Sequence, residues 1–312
     1  MRIVLIGASG FFGSHLLRAL TAEEHQCVVL TRARVKRSNV DLTPGVTLIQ
    51  ADVYDPDVLA EQFSGADAVV SMAGILNESG GGGKGFHKVH VELVKGIVKA
   101  CRTSGVKRLL HLSALNAGKG ESHYLKSKGE AEALLRSVDD INISIFQPSV
   151  IFGRGDAFFN QFAAMLSLAP VLPLACPKAL LQPVYAGDVA AAMVASLEDP
   201  MTFGKSYELV GPQSYTLKEL VQVTAKIKDQ RRMILGLPGP FSAMMAAAMN
   251  LVPGAPLSWD NYKSLQTDSV SDKNDCSYFH IEPRSIDLVG PDYLNGSLRQ
   301  RRLQAFRRRT RH

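Results

Sequence analysis

The chain of 312 residues is 46% hydrophobic and 21% charged, so it can bury a large core and does not belong to the disordered class. Its four cysteines lie far apart and form no C-x-x-C pair, so we expect neither a disulfide framework nor a zinc or other metal site. The formal net charge of +6 is due to residues 299–312, which hold seven arginines and no acid, so we expect no specific nucleic-acid binding by the folded body.

The chain enters an apolar run directly at its first residues, without the pattern of a secretory signal peptide. We therefore expect a cytoplasmic protein. Residues 299–312 are interpreted as a solvated basic tail, or alternatively as a segment that binds an anionic lipid surface, a nucleic acid or an acidic partner. If residues 299–312 bind an anionic lipid surface, the protein would be a peripheral protein at the inner face of the membrane.

The first 150 residues alternate short apolar runs with amphipathic stretches, the pattern of βαβ units around a parallel sheet. Strands are predicted at 2–7, 27–31, 46–51, 68–73, 108–113 and 143–148. Helices are predicted at 12–22, 56–63, 86–103 and 124–136. Because the strands are almost continuously apolar, helices should cover both faces of the sheet. The fold class is therefore α/β, with a Rossmann-type doubly wound parallel sheet.

After Gly153 the alternation weakens, and it returns at 184–197 and 205–211. We therefore expect a smaller C-terminal substrate lobe that is discontinuous in sequence. The predicted division is a nucleotide-binding domain at 1–153 and 180–212, a substrate or partner lobe at 154–179 and 213–298, and a basic tail at 299–312.

Three local signals refine this division. Asp55 can cap the helix that Pro56 opens, and Thr216 with Glu219 can form a capping box. The apolar segment 240–253 is too short to cross a bilayer, which takes about 20 residues. It is interpreted as a packed helix or pocket wall, with interfacial membrane contact or an apolar substrate site as the alternatives.

A glycine-rich turn follows the first predicted strand. Gly7, Gly10 and Gly13 recur at three-residue spacing, with Ser9, Phe11 and Phe12 between them. At the start of a helix, such glycines permit a tight turn, close approach of the backbone to a pyrophosphate and close packing of the helix on the strand. We therefore predict dinucleotide binding by these six residues.

The end of the second strand indicates which dinucleotide is preferred. Enzymes that use NAD usually place an acid there, but residues 25–40 contain none. Arg32, with Arg34, Lys36 or Arg37 as a helper, would bind a 2′-phosphate, so NADP(H) is favoured over NAD(H). The alternative is a solvated basic loop.

Residues at the ends of the third and fourth strands could also contact the dinucleotide. Asp52, or the backbone of Val53, could contact the adenine amine after the third strand. Ala73 and Gly74 end the fourth strand, where small residues would leave room for the nicotinamide half. Asp and Gly also terminate strands as ordinary turn residues.

A tyrosine and a lysine follow the fifth strand. Tyr124 and Lys128 are four residues apart, so both can lie on one face of a helix, and Ser113 ends the preceding strand. A lysine cation favours the phenolate and should lower the pKa of the tyrosine, while a serine hydroxyl can hold a substrate oxygen. These residues are the predicted catalytic group.

The chain resembles the extended and atypical branches of the short-chain dehydrogenase/reductase superfamily. The matching segments are GASGFFG, QADV, SMAG, Ser113 and YLKSK, followed by QPSVIFGRGDAFFNQF, QPVYAGDVA and GKSYELVGP. The later segments resemble the group around the nucleotide-binding accessory subunit of complex I and its bacterial relatives. The resemblance implies an NADP(H)-binding Rossmann domain with Tyr124 as acid/base, Lys128 on the ribose and Ser113 on the substrate, and it adds Pro148 to the cofactor-binding positions.

Two positions depart from the superfamily pattern. His90 stands where many members carry an asparagine that relays protons, and Gln147 stands where an arginine often precedes Pro148. His90 is interpreted as a helix residue rather than as a new catalyst.

Two main functions remain open at this point, and a redox or nitrogen-status sensor that reads NADPH through the same fold is a third. The first is an NADP(H)-dependent reductase, dehydrogenase or epimerase-like enzyme for a small apolar or quinone-like carbonyl compound. The second is a non-catalytic NADPH-binding accessory or assembly protein of a respiratory or quinone-related complex. Intact Ser113, Tyr124 and Lys128 favour the first.

Overall fold

The computed structural model describes residues 1–32, 43–78, 82–250 and 257–295. The basic tail, Arg34, Lys36 and Arg37 lie outside these residues. The strands are β1 (Arg2–Ile6), β2 (Gln26–Thr31), β3 (Val46–Gln50), β4 (Ala68–Ser71), β5 (Arg108–Leu112), β6 (Asn142–Pro148), β7 (Ile151–Phe152), β8 (Val171–Leu174), β9 (Leu180–Leu181), β10 (Val184–Tyr185), β11 (Lys205–Leu209), β12 (Tyr215–Thr216) and β13 (Met233–Gly236).

Seven of these strands form one parallel sheet in the order β3-β2-β1-β4-β5-β6-β11. The order reverses between β1 and β4, which is where doubly wound sheets bind their ligands. The predicted α/β fold class with a parallel sheet is confirmed. The return of the chain to the sheet at 205–211 is also confirmed, because β11 forms its last strand.

The helices are α1 (Phe11–Ala22), α2 (Pro56–Phe63), α3 (Lys84–His87), α4 (Leu93–Ser104), α5 (His123–Arg136), α6 (Phe158–Leu168), α7 (Ala186–Ala195), α8 (Leu217–Ile227), α9 (Gly239–Met249), α10 (Trp259–Ser264) and α11 (Ile286–Leu294). Both predicted helix starts are confirmed. Asp55 accepts hydrogen bonds from the amides of Asp57 and Val58, and Thr216 forms the capping box with Glu219.

Helices cover both faces of the sheet, as its apolar strands require. On one face, α1 and α7 pack together over a core that includes Leu16 and Met193. On the other face, α2 and α4 pack over Phe63 and Ile97. A third core lies outside the sheet, in the lobe built from α6, α8, α11 and the β8–β13 pair.

Within the apolar segment 240–253, residues 240–249 belong to α9 and residues 251–253 lie outside the described residues; the helix is packed along one side only. Within α9 only Ser242 and Ala246 are buried, while Phe241 and Met244 are exposed. The helix has apolar residues on all sides, so its composition could not indicate how little of it contacts the lobe. Among the described residues, no helix combines the length and apolar character that a membrane span requires.

A buried arginine ties the sheet to the end of α7. The guanidinium of Arg108 donates to the carbonyl oxygens of Ser196 and Leu197, just past that helix, and to the hydroxyls of Ser144 and Thr202. Burial lowers the pKa of Arg108 to about 10. A cation at a helix C-terminus is stabilised by the helix dipole, and here it also satisfies carbonyl groups that water cannot reach.

We predict that Arg108→Met lowers the free energy of unfolding by about 3 kcal/mol, because it leaves these buried acceptors unsatisfied. Urea unfolding without cofactor measures this loss. Arg102→Met is the matched control, because Arg102 forms an exposed ion pair with Asp140 and should contribute far less. Equal losses in the two variants would contradict the structural role of Arg108.

Candidate functional site

The glycine turn lies between β1 and α1, at the point where the strand order reverses. Gly7 has φ +88°, and a Cβ there would lie 2.6 Å from the amide nitrogen of Ala73. A Cβ at Gly13 would lie 2.1 Å from the carbonyl oxygen of Ala8, so that position must also be glycine.

Gly10 has a different environment, because its Cβ would meet nothing closer than 3.7 Å. It precedes the first turn of α1, which has no side-chain cap. Ser9 and Gly10 are exposed, Phe11 is half-buried and Phe12 is buried. An uncapped helix start behind an open glycine fits the diphosphate of a dinucleotide.

The residues expected around the adenosine half lie at the ends of β2 and β3. Arg32 is exposed, and its guanidinium lies 5.7 Å from the ring centroid of Tyr54. Asp52 uses its carboxylate locally, accepting a hydrogen bond from the amide of Tyr54 at 3.0 Å. Val53 is buried in the core, so only its backbone could contact an adenine.

Two of the three proposed catalytic residues, Ser113 and Lys128, lie at the ends of β4 and β5, and Tyr124 lies one turn before Lys128 on α5. The ammonium group of buried Lys128 donates to the carbonyl oxygen of Leu112 at 3.0 Å, which brings it next to Ser113. A Cβ at Gly74 would lie 3.6 Å from the same ammonium nitrogen. Ser113 is buried, and its hydroxyl has no hydrogen-bond partner among the described residues. Pro148 ends β6 on the neighbouring strand.

His90 connects these elements from a π-helical turn, Lys88–Glu92, that precedes α4. Its Nε2 accepts a hydrogen bond from the amide of Ile75 at 3.2 Å, so its Nδ1 donates to the hydroxyl of Ser127 at 2.8 Å. Ser127 in turn donates to the carbonyl oxygen of Tyr124. The imidazole ring lies edge-on to the ring of Tyr124, with centroids 5.6 Å apart. His90 therefore positions the loop after β4 against the helix that carries Tyr124.

Burial dominates the electrostatics of the site. It lowers the pKa of Lys128 to about 8 and raises the pKa of Tyr124 to about 12. Burial, with a smaller contribution from the charge of Lys128, lowers the pKa of His90 to about 3. In the protein chain alone, Tyr124 is therefore a protonated phenol and His90 is neutral. The expected lowering of the tyrosine pKa by Lys128 is not found, because the phenol is removed from water.

His111 adds a further neutral ring next to Lys128. It is buried on β5, and burial holds its pKa well below the ordinary value, with the charge of Lys128 acting in the same direction. Neither ring nitrogen has a hydrogen-bond partner among the described residues. The part of the chain that the structure describes contains no cluster of His, Cys, Asp or Glu suited to a metal ion.

One contact to α5 could not be predicted from the sequence. The carboxylate of Asp260, on α10, accepts hydrogen bonds from the amides of His123 at 2.7 Å and Tyr124 at 3.1 Å. Asn261 donates to the side chain of Asn77, in the loop after β4. The C-terminal lobe thus holds the start of α5. No local signal could have revealed this, because the partners lie 136 or more positions apart in the sequence.

Comparison with known proteins agrees with this geometry. A protein-family profile described as NAD(P)H-binding matches residues 7–156. The chain is 30% identical to the mitochondrial NADH dehydrogenase (ubiquinone) 1 alpha subcomplex subunit 9 of Mus musculus over 276 residues, covering 86% of this chain and 71% of that protein. It is 26% identical to a ceramide reductase of Caulobacter vibrioides over 243 residues, covering 76% of this chain and 74% of the relative.

Solved structures show the same fold at lower identity. The UDP-glucose 4-epimerase of Thermotoga maritima superposes with a TM-score of 0.76 at 14% identity, covering 95% of this chain and 98% of that one. This likeness shows the architecture of an extended epimerase-type Rossmann protein.

We predict that Lys128→Met stabilises the cofactor-free protein. Burial depresses the folded-state pKa of Lys128 from 10.5 to about 8. The buried ammonium group therefore lowers the free energy of unfolding by its full amount below pH 8. This destabilisation disappears as the pH rises through 10.5. We expect the free energy of unfolding to rise by about 1–3 kcal/mol at pH 7 and the advantage to shrink by about pH 10.

Urea unfolding at a series of pH values measures this effect. Lys126→Met, at an exposed position on the same helix, is the control and should change stability little. A variant less stable than the natural protein at pH 7 would show that Lys128 contributes more through its hydrogen bond than its burial costs.

Proposed function

The chain belongs to the NAD(P)H-binding Rossmann family that includes subunit 9 of the complex I alpha subcomplex and is related to the extended epimerase-like proteins, and we propose that it is an NADP(H)-dependent reductase. Its proposed substrate is a small apolar or quinone-like carbonyl compound. We assign the nucleotide to residues 1–153 and 180–212, and the substrate to the lobe of residues 154–179 and 213–298.

The observation that supports this proposal is the position of Lys128, which lies beside Gly74 and the carbonyl of Leu112 on the helix that also carries Tyr124. Lys128 is fixed to the carbonyl of Leu112, one residue before Ser113. The buried hydroxyl of Ser113 lacks a partner among the described residues, and a substrate oxygen would satisfy it. A site that served only to hold a cofactor would not need this unpaired hydroxyl.

The protonation states favour reduction over oxidation. A bound nicotinamide supplies a hydride. Tyr124, whose pKa lies at about 12, holds the proton that a developing alkoxide must receive. Lys128, as the family resemblance implies, would contact the ribose. The hydroxyl of Ser113 would donate to the same substrate oxygen and orient it.

The composition of the lobe supports an apolar substrate. Residues 157–177 and 233–259 contain no charged side chain. A relative named ceramide reductase would, by its name, act on a lipid, which is in keeping with this preference.

A second function is supported by the two departures from the superfamily pattern. His90 is neutral and already bonded to Ile75 and Ser127, so it is not free to relay protons. The amide nitrogen of Gln147 donates to both carboxylate oxygens of Glu132, so it is also occupied. With relatives among complex I subunits, this supports a non-catalytic NADPH-binding accessory protein of a respiratory or quinone-related complex as the alternative.

We predict that Tyr124→Phe abolishes turnover but not cofactor binding. Protein loaded with NADPH is mixed in turn with quinones, aldehydes and ketones, and loss of the reduced-nicotinamide absorbance is followed in a single turnover. Loss of the phenolic proton should slow oxidation about 100- to 10,000-fold. Tyr278→Phe is the control, because the hydroxyl of Tyr278 contacts Asp199 on the surface.

The two functions give different results in this assay. Oxidation by one class of acceptor, lost in Tyr124→Phe but kept in Tyr278→Phe, would establish the reductase. Tight NADPH binding with no oxidation by any acceptor would favour the accessory protein instead.

We predict that Arg32→Ala weakens NADPH binding about 10- to 100-fold and leaves NADH binding unchanged, because only NADPH carries the 2′-phosphate that a guanidinium would bind. Fluorescence titration of both cofactors measures the effect. Arg18→Ala, at an exposed position on α1, is the matched control. Equal weakening for both cofactors would rule out selection by Arg32.

A further inference from the structure

The outer end of the C-terminal lobe lacks charged residues to an unusual extent. The chain as a whole is 21% charged, yet residues 157–177 and 233–259 hold no Asp, Glu, Lys or Arg. The fold brings these two segments together, because β8 from the first pairs with β13 from the second. A charge-free stretch of this length is normally buried.

Much of this end is nevertheless exposed. The register places Met233 beside Val171 and Leu235 beside Pro173, and all four point outward. Met233 is 66% exposed, and Leu168, at the end of α6, is 87% exposed. We call Leu168, Val171, Pro173, Met233 and Leu235 the apolar ribbon face.

The next helix along the chain continues this exposure. Leu237 donates its amide to the carbonyl of Leu174, and the hydroxyl of Ser242 accepts from the amide of Cys176, so α9 starts at the end of the ribbon. On α9, Phe241 and Met244 are one turn apart and both exposed. Large exposed apolar surfaces of this kind mark sites of association.

Positive charge lies directly next to the apolar ribbon face. Residues 226–232, which lead into β13, contain four basic residues and one acid. Arg231 is exposed, and Arg232 donates to the carbonyl of Leu166 in α6. The charge is therefore fixed to the lobe beside Met233.

The chain also leaves the described structure at this point. Asn295, the last described residue, donates to the carbonyl of Ile227 at the end of α8. Lys228 donates to the carbonyl of Leu294. In the sequence, the seven arginines of residues 299–312 begin four positions after Asn295.

We propose that the apolar ribbon face and the exposed side of α9 dock on the surface of an anionic lipid bilayer. The apolar side chains enter the interfacial region, while Arg231 and Arg232 contact lipid phosphates. An apolar face bordered by basic residues has the chemistry of an interfacial membrane site. This inference does not depend on whether the nucleotide site turns over.

The charge distribution favours a bilayer over a second copy of this chain. Two copies joined through the same face would bring Arg231 and its neighbours toward their own equivalents, and such like charges repel. The affinity of the protein for an anionic bilayer instead rises roughly fivefold for each arginine near the membrane surface.

The test is co-flotation of the full chain with vesicles of equimolar phosphatidylcholine and phosphatidylglycerol, and with vesicles of phosphatidylcholine alone. We expect binding to the anionic vesicles that high salt weakens. Met233→Ser combined with Leu235→Ser should weaken partitioning about five- to tenfold. Met201→Ser is the matched control, because Met201 is 64% exposed but lies in the short turn before β11.

Each outcome decides the proposal. Loss of binding in the double variant but not in Met201→Ser would establish the face. Binding that survives the double variant and disappears when residues 299–312 are removed would overturn it, because the tail alone would then bind. Absence of vesicle binding would also overturn it, and light scattering of the natural and double-variant proteins would then show whether the face joins two copies. Cofactor binding, measured in parallel, confirms that the variants are folded.

Discussion

The architecture depends on one close approach of backbone to backbone, where Gly7 at the end of β1 meets Ala73 just past β4. A side chain at Gly7 would overlap the amide of Ala73 and separate two adjacent strands. The contact fixes the point where the sheet order reverses, and the crevice at that point is the ligand site of doubly wound folds. The uncapped start of α1 lies on one side of it and Gly74 on the other. The glycine is therefore required by sterics whether or not the site is catalytic.

Two buried cations in this protein have different environments. Arg108 is surrounded by carbonyl and hydroxyl oxygens, and its guanidinium hydrogen-bonds the sheet to the end of α7. Lys128 has one carbonyl partner and two neutral histidines near it, and burial lowers its pKa to about 8. The carboxylate of Glu132 raises the pKa of Lys128, but burial outweighs it. Perturbed ionisable groups of this kind are concentrated at functional sites.

The elements that could be predicted from the sequence are those with local signals. The six strands of the first 150 residues agree with the structure to within two residues at each end, because each is a largely apolar run. Asp55 and Thr216 cap helices as predicted, since a cap involves only the next three residues. The π-helical turn at His90 was not predictable, because it depends on partners from two other elements. The exposure of α9 was not predictable either, since its apolar composition is the same on every side.

The contact between Asp260 and the start of α5 has a consequence for the order in which the protein matures on the ribosome. The sheet can form once β6 has been synthesised, except for its last strand. Asp260, whose carboxylate accepts hydrogen bonds from the amides of His123 and Tyr124, is synthesised only about a hundred residues after β6. A nascent chain that already has the glycine turn therefore still lacks the contact that holds the start of α5. Formation of the glycine turn and completion of the α5 start are separate events in synthesis, and the second requires almost the whole polypeptide.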